Sequence, residues 1–344
     1  MKIFKRIFIW SLISLAIQLG GLYYIENYIL STQTSVKIKK VEKNIANKVP
    51  DAEIIVPDGA EGISASFDAK YLAYYEDDSL KVVNTRDGNV ETVDFDEGVE
   101  ISFYKWLPDR DRILIAEKHI KDEDIDEKGF KLSYYDVAKS AKEEIKDITW
   151  AGNSSEVSDI QVSTLTNIIC VKVSHNELNS KIYWINIMKE MRKIKTKSSN
   201  IGNMRVLPHE DRLIYEDLNS NNVYATNIGK ISIEGIDNTC LIGVDNSDRV
   251  YVGQVVDNNI VKIFYGKLNE DTIKWNNIAL QEPVNKEKIY VLEDGHIYVN
   301  DNLKGIIKEI SNGKQTAYKG TFLQLYNKGV VSISEGKLVK TPFN

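Results

Sequence analysis

The chain repeats itself. Leu107-Pro108-Asp109-Arg110-Asp111-Arg112-Ile113-Leu114 returns as Leu207-Pro208-His209-Glu210-Asp211-Arg212-Leu213-Ile214, and more loosely as Val244-Asp245-Asn246-Ser247-Asp248-Arg249-Val250-Tyr251. In the two closer copies an apolar run stops, proline fixes φ for a turn, aspartate offers an oxygen to turn amides, and a second apolar run follows. Pro108, Asp111, Arg112, Pro208, Asp211 and Arg212 are therefore the marker residues of a repeated turn. Taking the strand after this turn as phase, copies begin near Tyr71, Ile113, Ile168, Leu213, Val250, Lys288 and Gly329. The mean spacing is about 43 residues, the size of a four-stranded propeller blade.

The text between the turns reads as β-structure. Short apolar and aromatic runs are separated by Asp, Asn, Gly and Lys, with hairpin signals at Asp87-Gly88, Asp294-Gly295 and Asn312-Gly313. Helical periodicity is nearly absent. The second unit divides into strands at 101–106, 113–119, 131–137 and 143–148, and the inner strand of the sixth unit is expected near Pro283-Val284. The seventh unit ends after about three strands, so the run at 52–56 is expected to supply a fourth and close the ring, which removes exposed edges. The expected fold is all-β, a propeller of about seven blades behind one N-terminal transmembrane helix. A β-sandwich is the competing arrangement.

A family resemblance rests on the first unit. Ser66-Phe67-Asp68-Ala69-Lys70-Tyr71-Leu72-Ala73-Tyr74, followed by the apolar run at 80–83, resembles the repeat of TolB-type and dipeptidyl peptidase IV-type propellers. Those units read Ser-Pro-Asp-Gly-Lys before a short apolar strand; here Phe67 stands for the proline and Ala69 for the glycine. The rhythm covers the whole body, the residue match this unit alone. The peptidase side of the resemblance implies an attached hydrolase domain, for which the repeats leave no room.

The N-terminus is of another kind. Lys2, Lys5 and Arg6 precede an apolar run over 7–25, flanked by Trp10 at one end and Tyr23, Tyr24 and Tyr28 at the other. About 20 such residues span a bilayer core, and aromatic residues favour its two interfaces. The run is longer than the core of a cleavable signal peptide and no Ala-x-Ala follows, so an uncleaved signal-anchor is expected. The expected division is 1–30 anchor with a short cytoplasmic tail, 31–50 basic juxtamembrane stalk and 51–344 extracytoplasmic propeller, at the cell membrane. The lysines at 37, 39, 40, 43 and 48 suit anionic headgroups but oppose this orientation. Residues 1–50 carry a net charge of +6, which leaves −12 on the remainder. An acidic body disfavours nucleic acid and suits a basic protein or divalent cations. Abundant Ile, Lys and Asn are the residue usage of an AT-rich bacterial genome.

No catalytic set emerges. There is no Gly-x-Ser-x-Gly, and Gly152-Asn153-Ser154-Ser155 lacks the second glycine. His119, His175, His209 and His296 form no metal-binding pattern. Cys170 and Cys240 lie in apolar runs, as buried thiols do, with a bridge left open outside the cytoplasm. Asp122, Asp124 and Asp126 alternate ahead of Gly129 in the manner of a calcium loop, although the glycine comes two residues late and no bidentate Glu follows. A solvated acidic loop is the competing reading, and apart from calcium no cofactor is expected. Trp106, Trp150 and Trp275 near loops are either partner anchors or core residues. The expected function is a non-catalytic module that binds or scaffolds an envelope or membrane protein. The competing class is a glycan-active or peptidase-like enzyme, which needs paired carboxylates converging in the channel. A sensor comes third, because about six cytoplasmic residues cannot form a signalling domain.

Overall fold

A computed structural model describes residues 2–24, 52–119, 129–149, 154–176 and 179–344. It separates into two units, Met1–Val49 and Pro50–Asn344.

In the first unit, Lys2–Tyr24 form helix α1. Its Phe4–Tyr24 stretch has 21 residues with a mean hydropathy of 1.6. That is long and apolar enough to cross a membrane, a property signal sequences share.

The second unit is a ring of seven antiparallel sheets, each laid out in chain order from the axis outward. Blade 1 holds β1–β4 (Glu61–Ala65, Tyr71–Glu76, Ser79–Asn84, Val90–Val93) and blade 2 holds β5–β8 (Val99–Trp106, Arg112–His119, Gly129–Asp136, Ala141–Thr149). Blade 3 holds β9–β12 (Ser155–Ser163, Ile168–His175, Asn179–Ile185, Met191–Ile194) and blade 4 holds β13–β16 (Ile201–Val206, Leu213–Asp217, Asn222–Ala225, Gly229–Lys230). Blade 5 holds β17–β20 (Thr239–Val244, Arg249–Val256, Asn259–Lys267, Asn276–Val284) and blade 6 holds β21–β24 (Ile289–Val291, Ile297–Asp301, Ile306–Glu309, Gln315–Ala317). Blade 7 has three strands, β25–β27 (Thr321–Tyr326, Gly329–Ser334, Lys337–Pro342).

Burial follows position in the blade. The second strand of each sheet is sandwiched by two neighbouring blades, so it must be apolar on both faces rather than alternating. In β14 every residue is buried, and β18 and β26 each bury four in a row. Outermost strands are wetted, as in β12 and β20, where no residue is fully buried. The core is accordingly seven separate apolar clusters, one in each gap between adjacent blades. The gap between blades 2 and 3 is filled by Leu114, Phe130 and Ile148 against Val157, Ile160 and Val173. The gap between blades 7 and 1 joins Val331 to Leu72, Val83, Ile54 and Val56.

That last gap closes the ring. Ile55 bridges Lys337, Val56 N donates to Gly336 O at 2.8 Å, and Leu338 N donates to Ile54 O at 2.9 Å. The run at 52–56 thus lies beside β27 as a single bridge rather than a full strand. The Gln324 side-chain amide adds a second clasp, accepting from Ala65 N at 3.0 Å and donating to Ala65 O at 2.9 Å.

Two sequence expectations need correction, both in the sixth unit. Pro283-Val284 end β20, the outer strand of blade 5, and the inner strand of blade 6 is β21. Lys288 lies in a 3-10 turn before that inner strand, so the phase marker belongs at Ile297, after the Asp294-Gly295 turn. An apolar run flanked by lysines looks alike at the rim and at the axis, and only the turn chemistry separates them. The division of the second unit stands to within two residues, except that Val137 opens a 3-10 turn. Both cysteines are free and buried, in different clusters.

Candidate functional site

The inner strands run parallel to one another around the axis, so their ends meet at one mouth of the channel. There the ends of β1, β5, β17, β21 and β25 surround a cavity of about 600 Å3. Phe67, Leu107, Pro108, Leu292, Leu325 and Tyr326 give it an apolar lining. Lys105, Asn246, Ser247, Glu293, Asp294 and Asn327 place polar groups among them. Asn246 ties blade 5 to blade 6, its amide N donating to Glu293 O at 2.8 Å and its Nδ2 to Glu293 Oε2 at 3.1 Å. Burial pushes the Glu293 carboxyl up; the Asn246 amide opposes this, and Asp109 and Asp294 nearby add to it.

Charged side chains collect in the channel wall between blades 2 and 5. Lys105 Nζ lies 3.6 Å from Asp159 Oδ1 and keeps 34% of its side chain open although the ring surrounds it. Asp159 pairs across the sheet with Lys172, whose Nζ donates to Gly202 O at 2.9 Å. Arg205 Nη1 donates to the Met204 carbonyl at 2.8 Å. Burial depresses the Lys105 ammonium, with Arg205 adding to that and Asp159 opposing it. Burial also depresses Lys172; Asp159 and Glu216 oppose this, while Lys286 and Arg205 reinforce it.

Glu216 is sealed beside them, 2% exposed. Its Oε1 accepts from Leu241 N at 2.7 Å and its Oε2 from Asn203 N at 2.7 Å. Lys286 Nζ bridges both oxygens at 3.1 and 3.0 Å. The inner strand β13 bulges over this carboxylate between Ile201 and Met204. Gly202 sits at the bulge because a Cβ there would collide with Glu216 Oε2.

The second copy of the repeated turn staples blade 4 to blade 3. Asp211 reaches back to blade 3, where Oδ1 accepts from Trp184 Nε1 at 2.6 Å and Oδ2 from Arg192 at 3.3 Å. Pro208 O accepts from Ser163 Oγ at 2.6 Å. Arg112 grips Asp136 of its own blade at 2.8 Å, whereas Arg212 turns to Glu210 at 2.9 Å. Asp111 Oδ1 is buried with no partner, and burial together with Asp68 raises its carboxyl, against the pull of Lys70. Pro108 alone of the six lines the mouth.

Other candidates separate. Asp122, Asp124 and Asp126 lie outside the described residues, as do Trp150, Gly152 and Asn153. Among the described residues no group of three or more His, Cys, Asp or Glu side chains could hold a metal ion. Trp106 and Trp275 are core residues, 6% and 4% exposed, whose indoles donate to Ser64 O and Lys267 O. His209 pairs with Asp248 and His296 with Glu309, in separate blades. Ser154 and Ser155 both approach His175 Nδ1 at 3.2 Å. Among the described residues no carboxylate hydrogen-bonds that ring.

The sequence reading missed Lys105, Asp159, Lys172 and Arg205, which lie far apart along the chain. One signal was present: Lys105 and Arg205 stand two residues before Leu107 and Leu207 in the two closest copies of the repeat. They pair with the matching Leu114 and Ile214.

No family model matches the chain, and no curated protein matches it. Among solved structures, the crystal structure of a nidogen/laminin complex is similar in shape at 11% identity, with a TM-score of 0.42, over 71% of this chain and 91% of that one. The TolB-type resemblance therefore rests on the residues of the first unit.

Proposed function

We propose that the protein is a membrane-anchored, non-catalytic binding module, with a short cytoplasmic N-terminus and an extracytoplasmic propeller that holds an envelope or membrane protein at the channel mouth. The observation that carries this is the mouth itself. Five blades converge there on a cavity whose lining mixes apolar side chains with a few polar ones, the composition of recognition pockets. Helix α1 supports the anchor by length and hydropathy. A TolB-type propeller is the finer form of this reading, supported by the Ser66–Tyr74 motif. The enzyme alternative asks for converging channel carboxylates. Asp159 and Glu216 in the wall each face a lysine, which suits charge balance better than acid–base work.

The test is crosslinking of the tagged full-length protein in cells, followed by mass spectrometry of what leaves the membrane with it. One specific protein should be recovered, and Phe67→Ser with Tyr326→Ala should lose it while the circular dichroism spectrum is unchanged. Recovery of the same protein by the mouth variant refutes the site, and the absence of any partner refutes the module. Release of the chain from membranes by alkaline carbonate refutes the anchor.

A further inference from the structure

The channel wall carries more positive charge than it neutralises. Glu216 and Lys286 satisfy one another and two backbone amides. That leaves Lys105 and Lys172 beside Asp159, with Arg205 near both lysines. Lys105 reaches Asp159 only at 3.6 Å, and Asp159 also accepts from Gln161 Nε2 at 2.9 Å. Lys172 and Arg205 spend their one identified hydrogen bond each on a main-chain carbonyl. Neither forms an ion pair among the described residues. Three cations against one carboxylate inside a ring is an unfavourable arrangement, because taking a charge even partly out of water is not offset without a counter-charge. It occurs in a body whose net charge is −12, so average composition does not explain it. Lys105 is the member of the group that also lines the mouth cavity.

We propose that Lys105, Lys172 and Arg205 form a binding site for an oxyanion, a carboxylate or phosphate group on a ligand that enters through the channel mouth. Such a group supplies the missing one to two negative charges and accepts the unused N–H groups. Arg205 brings a planar fork that fits two oxygens of either group, and the lysines bring point charges. The acidic exterior does not prevent this, because its repulsion is screened beyond about 8 Å at physiological salt. The site lies below the mouth surface and stands whether or not a protein docks there.

The test uses the detergent-solubilised full chain. Thermal unfolding is followed while inorganic phosphate, or separately succinate, replaces sodium chloride at constant ionic strength. A saturable rise in Tm is expected, about 5 °C at a hundredfold excess over Kd. Arg205→Gln and Lys172→Met should each abolish the rise; each also gives up one hydrogen bond to a main-chain carbonyl, so the readout is the anion-dependent rise and not the starting Tm. A response to phosphate alone identifies a phosphate ligand, and to succinate alone a carboxylate. A response to both identifies a general oxyanion site. If neither anion exceeds chloride, or the rise survives in the variants, the proposal is wrong. Should one variant fail to fold, the other decides, and the wild-type comparison with chloride stands by itself.

Discussion

Replacing Glu216 with glutamine changes one atom and should destabilise the propeller about as much as a core truncation. Both carboxylate oxygens are engaged by main-chain amides, Leu241 N on Oε1 and Asn203 N on Oε2, each at 2.7 Å. Glutamine has one acceptor. Either orientation of its amide points an NH2 group at a buried N–H, so one charge-assisted hydrogen bond is lost and one donor is left without a partner. The first loss is worth about 1.5–3 kcal/mol and the second about 1–3 kcal/mol, and the two overlap because they describe one contact. Lys286 supplies the counter-charge of the buried carboxylate, a role that falls away when the side chain at 216 is neutral. The expected total is about 3 kcal/mol, or a fall in Tm of about 6–10 °C. Thermal unfolding of the full chain in detergent, followed by far-UV circular dichroism, measures it. Lys286→Met should also destabilise, because it leaves a carboxylate that is 2% exposed without its counter-charge, and the double variant should cost less than the sum of the two. A loss below about 1 kcal/mol for Glu216→Gln, or strict additivity in the double variant, refutes the reasoning.

Three further outcomes are expected. Val56→Pro deletes the N–H that donates to Gly336 O, so it should open the seam between blades 7 and 1 and lower Tm by several degrees, with proteolysis appearing first near residue 56; an unchanged cleavage pattern contradicts closure by this segment. Asp217 is buried, which by itself raises its carboxyl, yet hydrogen bonds from Ser198, Ser220 and the amides of Asn219 and Ser220 hold it below the ordinary value. With the folded value below the unfolded one, its stabilisation is complete above about pH 4 and is lost as pH falls through the folded value. Asp217→Asn should therefore be less stable at pH 7 and lose less of its stability between pH 4 and pH 2, as read by Tm against pH. Burial pushes the Cys170 thiol up and the Cys240 thiol up to about 12, so neither should react with a disulfide reagent at pH 8 until the fold is unfolded. Prompt modification of either in the native protein contradicts the burial.

How much of this was legible beforehand depends on what each residue needs. The turn motif at Leu107-Pro108 and Leu207-Pro208 is local chemistry, and it places two inner-to-second strand junctions where the structure has them. The unbroken apolar runs at 213–215 and 250–252 betray strands buried on both faces. Unit six was misphased because its inner strand has only three residues, too short a run to stand out from the lysine-flanked segment before it.

By itself the sequence determined the number and length of the repeats, the all-β character, the apolar N-terminal helix and the contrast in charge between the first fifty residues and the rest, since all of these are set by near neighbours along the chain. Tertiary structure decided what the repeats enclose. Lys105, Asp159, Lys172, Arg205 and Glu216 come from three blades, and only closing the ring turns scattered charges, ordinary on a surface, into a shielded group whose balance matters. Burial gives a charge its cost, and burial is a property of the ring, not of any one blade.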